Sequence, residues 1–203
     1  MKIIQKYIPV GTKRRSGIAI EGVKFIVAHD TGNDKSTALN NVNYFIKSAN
    51  DLEASAHTFI DDAHIIECVP LTEKAWHVRR NVIKDNEMFG GDSNSCAIGV
   101  ELCYFSNDLQ RSRLAYNNYV WYIKELCKRY NLDPKTKIVG HYLLDPSRRT
   151  DPLNAFKYLG KSWNDFINDL SPVIPPLPPA TNPVKPDFKQ TIREIISKLE
   201  TLL

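Results

Sequence analysis

Two histidines and one aspartate stand at the ends of apolar runs, where side chains can meet in a cleft. His29 ends the run in VAHDTGN, His141 ends that in IVGHYLLD, and Asp151 follows in RRTDP. Imidazole and carboxylate are ligands suited to Zn²⁺, and three protein ligands leave a fourth position for water, as in catalytic zinc sites. Spacing alone leaves open that the histidines are hydrogen-bonded structural residues and that Asp151 is a turn or capping acid before Pro152.

A glutamate lies inside a third apolar run. Glu101 occurs in IGVELCY, and a carboxylate within an apolar strand costs free energy unless it is paired or has a function. If Glu101 faces the same cleft, it would act as a general base that takes a proton from the attacking water. The alternative is a solvent-facing strand residue, since Val100 and Leu102 alternate away from it.

Short β-rich runs and helical periodicities must position these residues. The runs predict strands at residues 24–30, 56–61, 64–69, 97–105 and 137–142. The second and third runs are separated only by Asp62-Ala63, which favours a tight hairpin. Helical spacing predicts helices over 38–49 with Ser36 or Thr37 as the N-cap, over 116–130 ending at NLDP, and over 162–170. This alternation predicts an α/β domain over residues 1–170, with a central mixed β-sheet flanked by helices.

The composition changes after this domain. Residues 171–186 hold seven of the twelve prolines, which is typical of a semi-rigid proline-rich linker. Residues 187–203 have apolar positions in a 4-3-4-3 spacing, which predicts an amphipathic C-terminal helix. Because an isolated helix of this length is marginal in water, it would form a homo-oligomer, dock on the domain or serve in targeting.

Composition and charge exclude several classes of protein. The chain has 203 residues, 42% hydrophobic and 25% charged, so it is not wholly disordered. No apolar run is long enough for a membrane span, and the N-terminus lacks a signal-peptide pattern, so we expect no stable membrane insertion. The net charge of +4 comes from five basic residues among the first twenty, a local arm that does not indicate nucleic acid as a partner. The four cysteines contain no CxxC pair, which favours free buried thiols.

Five segments occur in an order that resembles a known family. They are FIVAHDTGN, SAHTFIDD, AWH at 75–77, IGVELCY and VGHYLLDPSRRTDP. Together they are similar to the zinc-dependent N-acetylmuramoyl-L-alanine amidases of the amidase-2 type, which include phage endolysins, cytosolic anhydro-muropeptide amidases and peptidoglycan recognition proteins. The resemblance covers roughly residues 20 to 168 and excludes the proline-rich linker and the C-terminal helix.

The resemblance implies roles for individual residues. It implies Zn²⁺ held by His29, His141 and Asp151, and Glu101 as the catalytic base. The family often has a lysine two residues before the third ligand, where this chain has Arg149, beside Arg148. Arginine can hold an oxyanion but cannot donate a proton, so an electrostatic role is expected; a solvated arginine pair is the alternative.

The resemblance also implies a set of residues near the substrate. His57 and His77 come from motifs that line the family's substrate groove, although His57 is also expected to pack or hydrogen-bond beneath the site. Trp76 is either a sugar platform or a core residue. Two residues directly after His29 could also reach the stem peptide, and they are Thr31 and Asn33.

The function implied is hydrolysis of peptidoglycan at the amide bond between N-acetylmuramic acid and the L-alanine of the stem peptide. The expected setting is a phage or prophage endolysin, made in the bacterial cytoplasm without a signal peptide and acting on the cell wall after release. The alternatives are a cytosolic recycling amidase for soluble anhydro-muropeptides and a non-catalytic peptidoglycan-binding module. An aspartate as the third ligand slightly favours the recycling amidase. Non-catalytic binding modules of the family characteristically lose one zinc ligand, whereas this chain has all three candidate ligands.

Overall fold

A six-stranded sheet forms the centre of the domain. The computed structural model of the chain describes residues 2–171. The strands lie in the order β1-β4-β3-β5-β2-β6 across the sheet. Their bounds are Ile3–Gln5 (β1), Phe25–Asp30 (β2), Thr58–Ile60 (β3), Ile65–Glu67 (β4), Ala97–Leu102 (β5) and Ile138–Gly140 (β6).

The sheet is mixed, as predicted. Strands β3 and β4 form an antiparallel hairpin, and the other neighbouring pairs are parallel. The central strands β2 and β5 are in register over their full length, with His29 opposite Glu101. Directly opposed residues point to the same face of a sheet, so these two side chains are neighbours at the carboxyl ends of their strands.

Helices cover both faces of the sheet. Alternate residues of β2 and β5, such as Ile26 and Val100, pack with α4, α7 and α8 in the largest core cluster. Phe59 of β3 and Ile66 of β4 pack against α1 in a second cluster on the opposite face. The helices are α1 (Ala38–Lys47), α2 (Lys84–Phe89), α3 (Ser93–Cys96), α4 (Leu109–Tyr130), α5 (Pro134–Lys137), α6 (His141–Leu144), α7 (Leu153–Leu159) and α8 (Trp163–Leu170).

The three predicted helices are confirmed, together with the signals that bound them. Thr37 caps α1 by accepting a hydrogen bond from the backbone of Asn40. Asn131 ends α4 in the left-handed conformation, at φ 52°. Ser162 and Asp165 form a reciprocal capping box at the start of α8.

Strand β1 and five short helices were not predicted. Strand β1 pairs with β4 through Ile3 and Ile65, within the arm that the sequence indicates only as basic. The run 97–105 leaves the sheet after Leu102, earlier than predicted. The four cysteines are free and buried, as expected. None of the helices within residues 2–171 is both long and apolar enough to cross a membrane. The predicted linker and C-terminal helix lie outside the described residues.

Candidate metal centre

His29, His141 and Asp151 come together at the carboxyl edge of the sheet. Nδ1 of His29 lies 2.9 Å from Oδ2 of Asp151, and Nδ1 of His141 lies 3.1 Å from both of those atoms. All three residues are buried. Two neighbouring parallel strands bring the histidines together, since His29 is on β2 and His141 directly follows β6. Residues separated by 122 positions in the chain therefore share one cluster.

The donor set fits a zinc ion. Tetrahedral zinc with bonds of about 2.0–2.2 Å needs donor atoms roughly 3.3–3.6 Å apart, slightly more than the observed 2.9–3.1 Å. Burial lowers the pKa of His29 to about 4 despite the hydrogen bond to Asp151, so the ring is neutral near pH 7 and can offer a lone pair. Once their Nδ1 atoms are free of protons, the two imidazoles and the carboxylate oxygen offer three lone pairs that converge, which a cation can satisfy together.

Asp151 is held as a carboxylate. Burial raises its pKa, but the hydrogen bonds with His141 and His29 outweigh burial and keep the pKa well below its usual range. The carboxylate is therefore ionised at neutral pH, as a metal ligand must be.

Glu101 lies beside this cluster with one oxygen unpaired. Its side chain is partly exposed, yet Oε2 is buried and has no hydrogen-bond partner among residues 2–171. Burial raises the pKa of Glu101 well above its usual range; Asp151 and Asp30 act in the same direction, and Arg149 opposes them. A buried oxygen without a partner costs about 1–3 kcal/mol, a cost that a catalytic role would explain.

The two adjacent arginines differ in their contacts. The guanidinium of Arg148 is engaged by Asp145, with Nη2 2.6 Å and Nε 2.8 Å from Oδ2. Arg149 is exposed, and its side chain makes no hydrogen bond or ion pair within the described part of the chain. Its charge acts on both His29 and Glu101. Of the two, Arg149 is the one available to a group bound at the metal centre.

Asp30 is a residue of the site region that sequence reasoning missed. It is buried and accepts hydrogen bonds from the backbone of Gly32 and Ala155 and from the side chain of Asn154. These bonds tie the end of β2 to the first turn of α7, directly after Asp151. The only sequence feature that could have identified Asp30 is its position next to His29.

The two motif histidines are both buried. His57 is fully buried; its Nδ1 accepts from the backbone N–H of Gly99, and Nε2 donates to the carbonyl of Glu73. It therefore lies beneath the site, as the other interpretation held. His77 is 8% exposed, and Nδ1 lies 3.1 Å from Nε2 of His29. The ring nitrogens of both histidines have protein partners.

The other residues predicted near the substrate lie in two different places. Thr31 and Asn33 follow β2, where Asn33 is exposed and its amide donates to Asn41. Trp76 is half-buried with the guanidinium of Arg80 over its ring, 4.9 Å from the centroid. The cavity that Trp76 lines contains none of the residues of the metal centre.

Known proteins resemble the chain in sequence. It is 34% identical over 152 residues to the N-acetylmuramoyl-L-alanine amidase BlyA of Bacillus subtilis, covering 67% of this chain and 38% of BlyA. It is 28% identical over 186 residues to CwlH of the same species, covering 91% of this chain and 66% of CwlH. The chain thus spans only part of these longer relatives.

Solved structures resemble it in fold. The catalytic domain of XlyA superposes with a TM-score of 0.67 at 27% identity, covering 84% of this chain and all of that domain. A mutant endolysin from Bacillus subtilis gives a TM-score of 0.67 at 28% identity, covering 84% of this chain and 99% of the endolysin. The family model for N-acetylmuramoyl-L-alanine amidase matches residues 20–154. The chain belongs to this amidase family.

Proposed function

We propose that this chain is a zinc-dependent peptidoglycan amidase that cleaves the bond between the lactyl group of N-acetylmuramic acid and the L-alanine of the stem peptide. The observation that carries the proposal is the convergence of His29, His141 and Asp151 within 3.1 Å of one another beside Glu101. A zinc ion held there supplies Lewis acidity, which polarises a carbonyl and makes water acidic near neutral pH.

Glu101 moves the proton in this scheme. The β2–β5 register makes it the direct neighbour of His29, and its unpaired Oε2 is free to accept. Glu101 takes a proton from the attacking water and delivers it to the amine of L-alanine as the amide bond breaks. The raised pKa suits a group that must hold the proton between these two steps.

Arg149 stabilises charge. As water attacks, the carbonyl oxygen becomes negative, and a cation that is not already paired can donate a hydrogen bond to it. The contact of Arg148 with Asp145 leaves this role to Arg149. Because a guanidinium stays protonated, Arg149 acts through its charge and Glu101 alone carries the proton.

Mass spectrometry of digested sacculi tests the proposal. Purified bacterial sacculi are incubated with the full chain, with and without a zinc chelator, and with the His141→Ala variant as control. We expect released stem peptides that begin with a free L-alanine amine only from the wild-type chain without chelator, and their return when Zn²⁺ is added back. Cleaved glycan strands, or unchanged activity in the variant, would contradict it.

The endolysin setting is part of the same proposal. It is supported by the likeness to a Bacillus subtilis endolysin and to the catalytic domain of XlyA. An endolysin must act on intact wall, whereas a recycling enzyme acts on soluble fragments. Rates on sacculi that match or exceed those on soluble anhydro-muropeptides are expected; activity confined to the soluble fragments would contradict the endolysin setting.

A further inference from the structure

The two histidines of the metal centre differ in how their outer nitrogens are held. Nδ1 of each faces the cluster. Nε2 of His29 lies 3.1 Å from Nδ1 of His77, whereas Nε2 of His141 is buried without a hydrogen-bond partner among residues 2–171. One ligand is therefore oriented by a second side chain and the other is not.

The proton positions follow from this geometry. A nitrogen that binds a metal must offer its lone pair, so a bound His29 carries its proton on Nε2. That proton faces His77, and Nδ1 of His77 must then be the acceptor. The proton of His77 is consequently on Nε2, which lies 3.4 Å from the carbonyl oxygen of Ala97. A chain of donors thus runs from His29 through His77 to the backbone of β5.

We infer that His77 is a positioning residue, which fixes the tautomer and ring orientation of His29 so that Nδ1 presents its lone pair to the metal. Groups that hold the outer nitrogen of a ligating histidine typically change metal affinity by about 10–100-fold when they are removed. This inference rests on the proposed metal site and assigns the histidine of the AWH motif to the metal rather than to the substrate.

The fold is built to hold the His77 ring in this place. The backbone N–H of His77 donates to Oδ1 of Asn94 at 3.0 Å. On the other side lies Gly99, where a β-carbon would be 2.5 Å from Cγ and 2.7 Å from Nδ1 of His77. Only glycine leaves room for the ring in this position, so any larger residue at 99 must shift it.

His57 completes this support. Its Nδ1 accepts from the N–H of Gly99, and its own backbone N–H donates to the Gly99 carbonyl, both at 3.0 Å. These bonds fix the part of β5 against which the His77 ring packs. They also give the buried His57 a structural task, since its ring nitrogens bond to the backbone of Gly99 and Glu73.

A matched pair of variants tests the inference. His77→Leu and His77→Asn are close in size, but only asparagine can place an acceptor near the position of Nδ1. Zn²⁺ affinity is measured by competition with a chromophoric chelator, using the full chain. We expect His77→Leu to weaken affinity about 10–100-fold and His77→Asn to stay within about threefold of wild type. Partly exposed His64, replaced by Leu, is the control for loss of a histidine and should leave affinity unchanged.

Two further measurements keep the test independent of these variants. Gly99→Ala displaces the His77 ring without altering any ligand, and we expect it to weaken Zn²⁺ binding as His77→Leu does. In the zinc-loaded wild-type chain, ¹⁵N–¹H correlation of the imidazoles should show both His29 and His77 as the Nε2–H tautomer.

The outcomes separate this inference from the proposed function. A wild-type chain that binds no Zn²⁺ overturns both. A wild-type chain that binds Zn²⁺ while His77→Leu and His77→Asn lose affinity equally, or not at all, overturns the role of His77 and leaves the metal site standing. A His77 ring that carries its proton on Nδ1 in the zinc-loaded protein also overturns it, since Nδ1 of His77 could not then accept the proton of His29.

Discussion

At the scale of single residues, a substitution of Glu101 should distinguish metal binding from catalytic turnover. Glu101→Gln keeps the shape of the side chain but removes its ability to take a proton. We expect Zn²⁺ content to stay at wild-type level and turnover to fall by about 10²- to 10⁴-fold, the usual contribution of a general base. Zinc is measured by elemental mass spectrometry and turnover by stem-peptide release. Turnover within a few-fold of wild type would instead give Glu101 a structural role.

The adjacent arginines form a second matched pair. Arg149→Ala should lower kcat by about 10²-fold with KM little changed, as loss of one oxyanion donor does. Arg148→Ala removes a partly exposed contact with Asp145, worth at most about 1 kcal/mol, and should leave kcat near wild type. Kinetics of both variants on a soluble muropeptide are compared. Equal losses in the two would mean that neither guanidinium is specific to the oxyanion.

The sequence predicts which residues belong to the site more easily than it predicts what each of them does. Strand-end positions and the order of motifs singled out His29, His141 and Asp151, which the structure brings together. The role of His77 depends on which ring nitrogen faces which neighbour, and no spacing in the sequence encodes that. The choice between Arg148 and Arg149 likewise depends on Asp145 taking one of them.

At the scale of elements, Asp30 links β2 to α7. Asp30→Ala removes an acceptor for the backbone of Gly32 and Ala155 and for Asn154. We expect the free energy of unfolding to fall by about 2 kcal/mol, because buried donors lose a charged partner. Zn²⁺ affinity should fall too, since the α7 turn follows Asp151. Urea unfolding and chelator competition measure the two effects.

The control for Asp30 is a carboxylate on the surface nearby. Asp34 follows the same strand, is partly exposed and bonds to Ser106. Asp34→Ala should change stability by less than about 1 kcal/mol and leave Zn²⁺ affinity as it is, as expected of a surface site. If both variants lose stability and affinity alike, the anchoring role of Asp30 is wrong.

Element length decided which parts of the fold the sequence predicts. Helices α1 and α4 span 10 and 22 residues, long enough for a periodic apolar stripe. The β3–β4 hairpin was marked by its apolar runs and by a two-residue turn signal. Strand β1 has three residues, all exposed, and helices such as α3 and α5 have four, so no periodicity can develop in them.

At the scale of the whole molecule, the site depends on the complete sheet. Strands β2, β5 and β6 supply or immediately precede His29, Glu101 and His141, and the loop before α7 supplies Asp151. Helices on one face hold the strand ends: the Tyr119 hydroxyl of α4 donates to the carbonyl oxygens of His29 and Val100. Since these residues come from distant parts of the chain, the candidate metal centre is assembled only when the domain as a whole is folded.

The free energy of unfolding should therefore fall with the pH, because the buried histidines resist protonation in the folded chain. Burial lowers the pKa of His57 to about 4, against a value of about 6.5 in the unfolded chain. Below pH 6.5 the unfolded chain takes up a proton that the folded chain refuses. The contribution of neutral His57 to the free energy of unfolding is therefore fully present above pH 6.5 and is lost as the pH falls towards 4. One such group amounts to about 3 kcal/mol.

Urea unfolding between pH 7.5 and 4, with chelator present throughout, measures this loss. His57→Asn keeps an acceptor for the Gly99 N–H but does not titrate, so its stability should fall less steeply over the window. Asp151, whose pKa is lowered in the folded chain, begins to lose its contribution only as the pH approaches its unfolded pKa of about 3.9, at the lower edge of this window. An unchanged slope in His57→Asn would mean that the folded protein admits the proton through local opening, and that the His57 layer under the metal centre is not rigid.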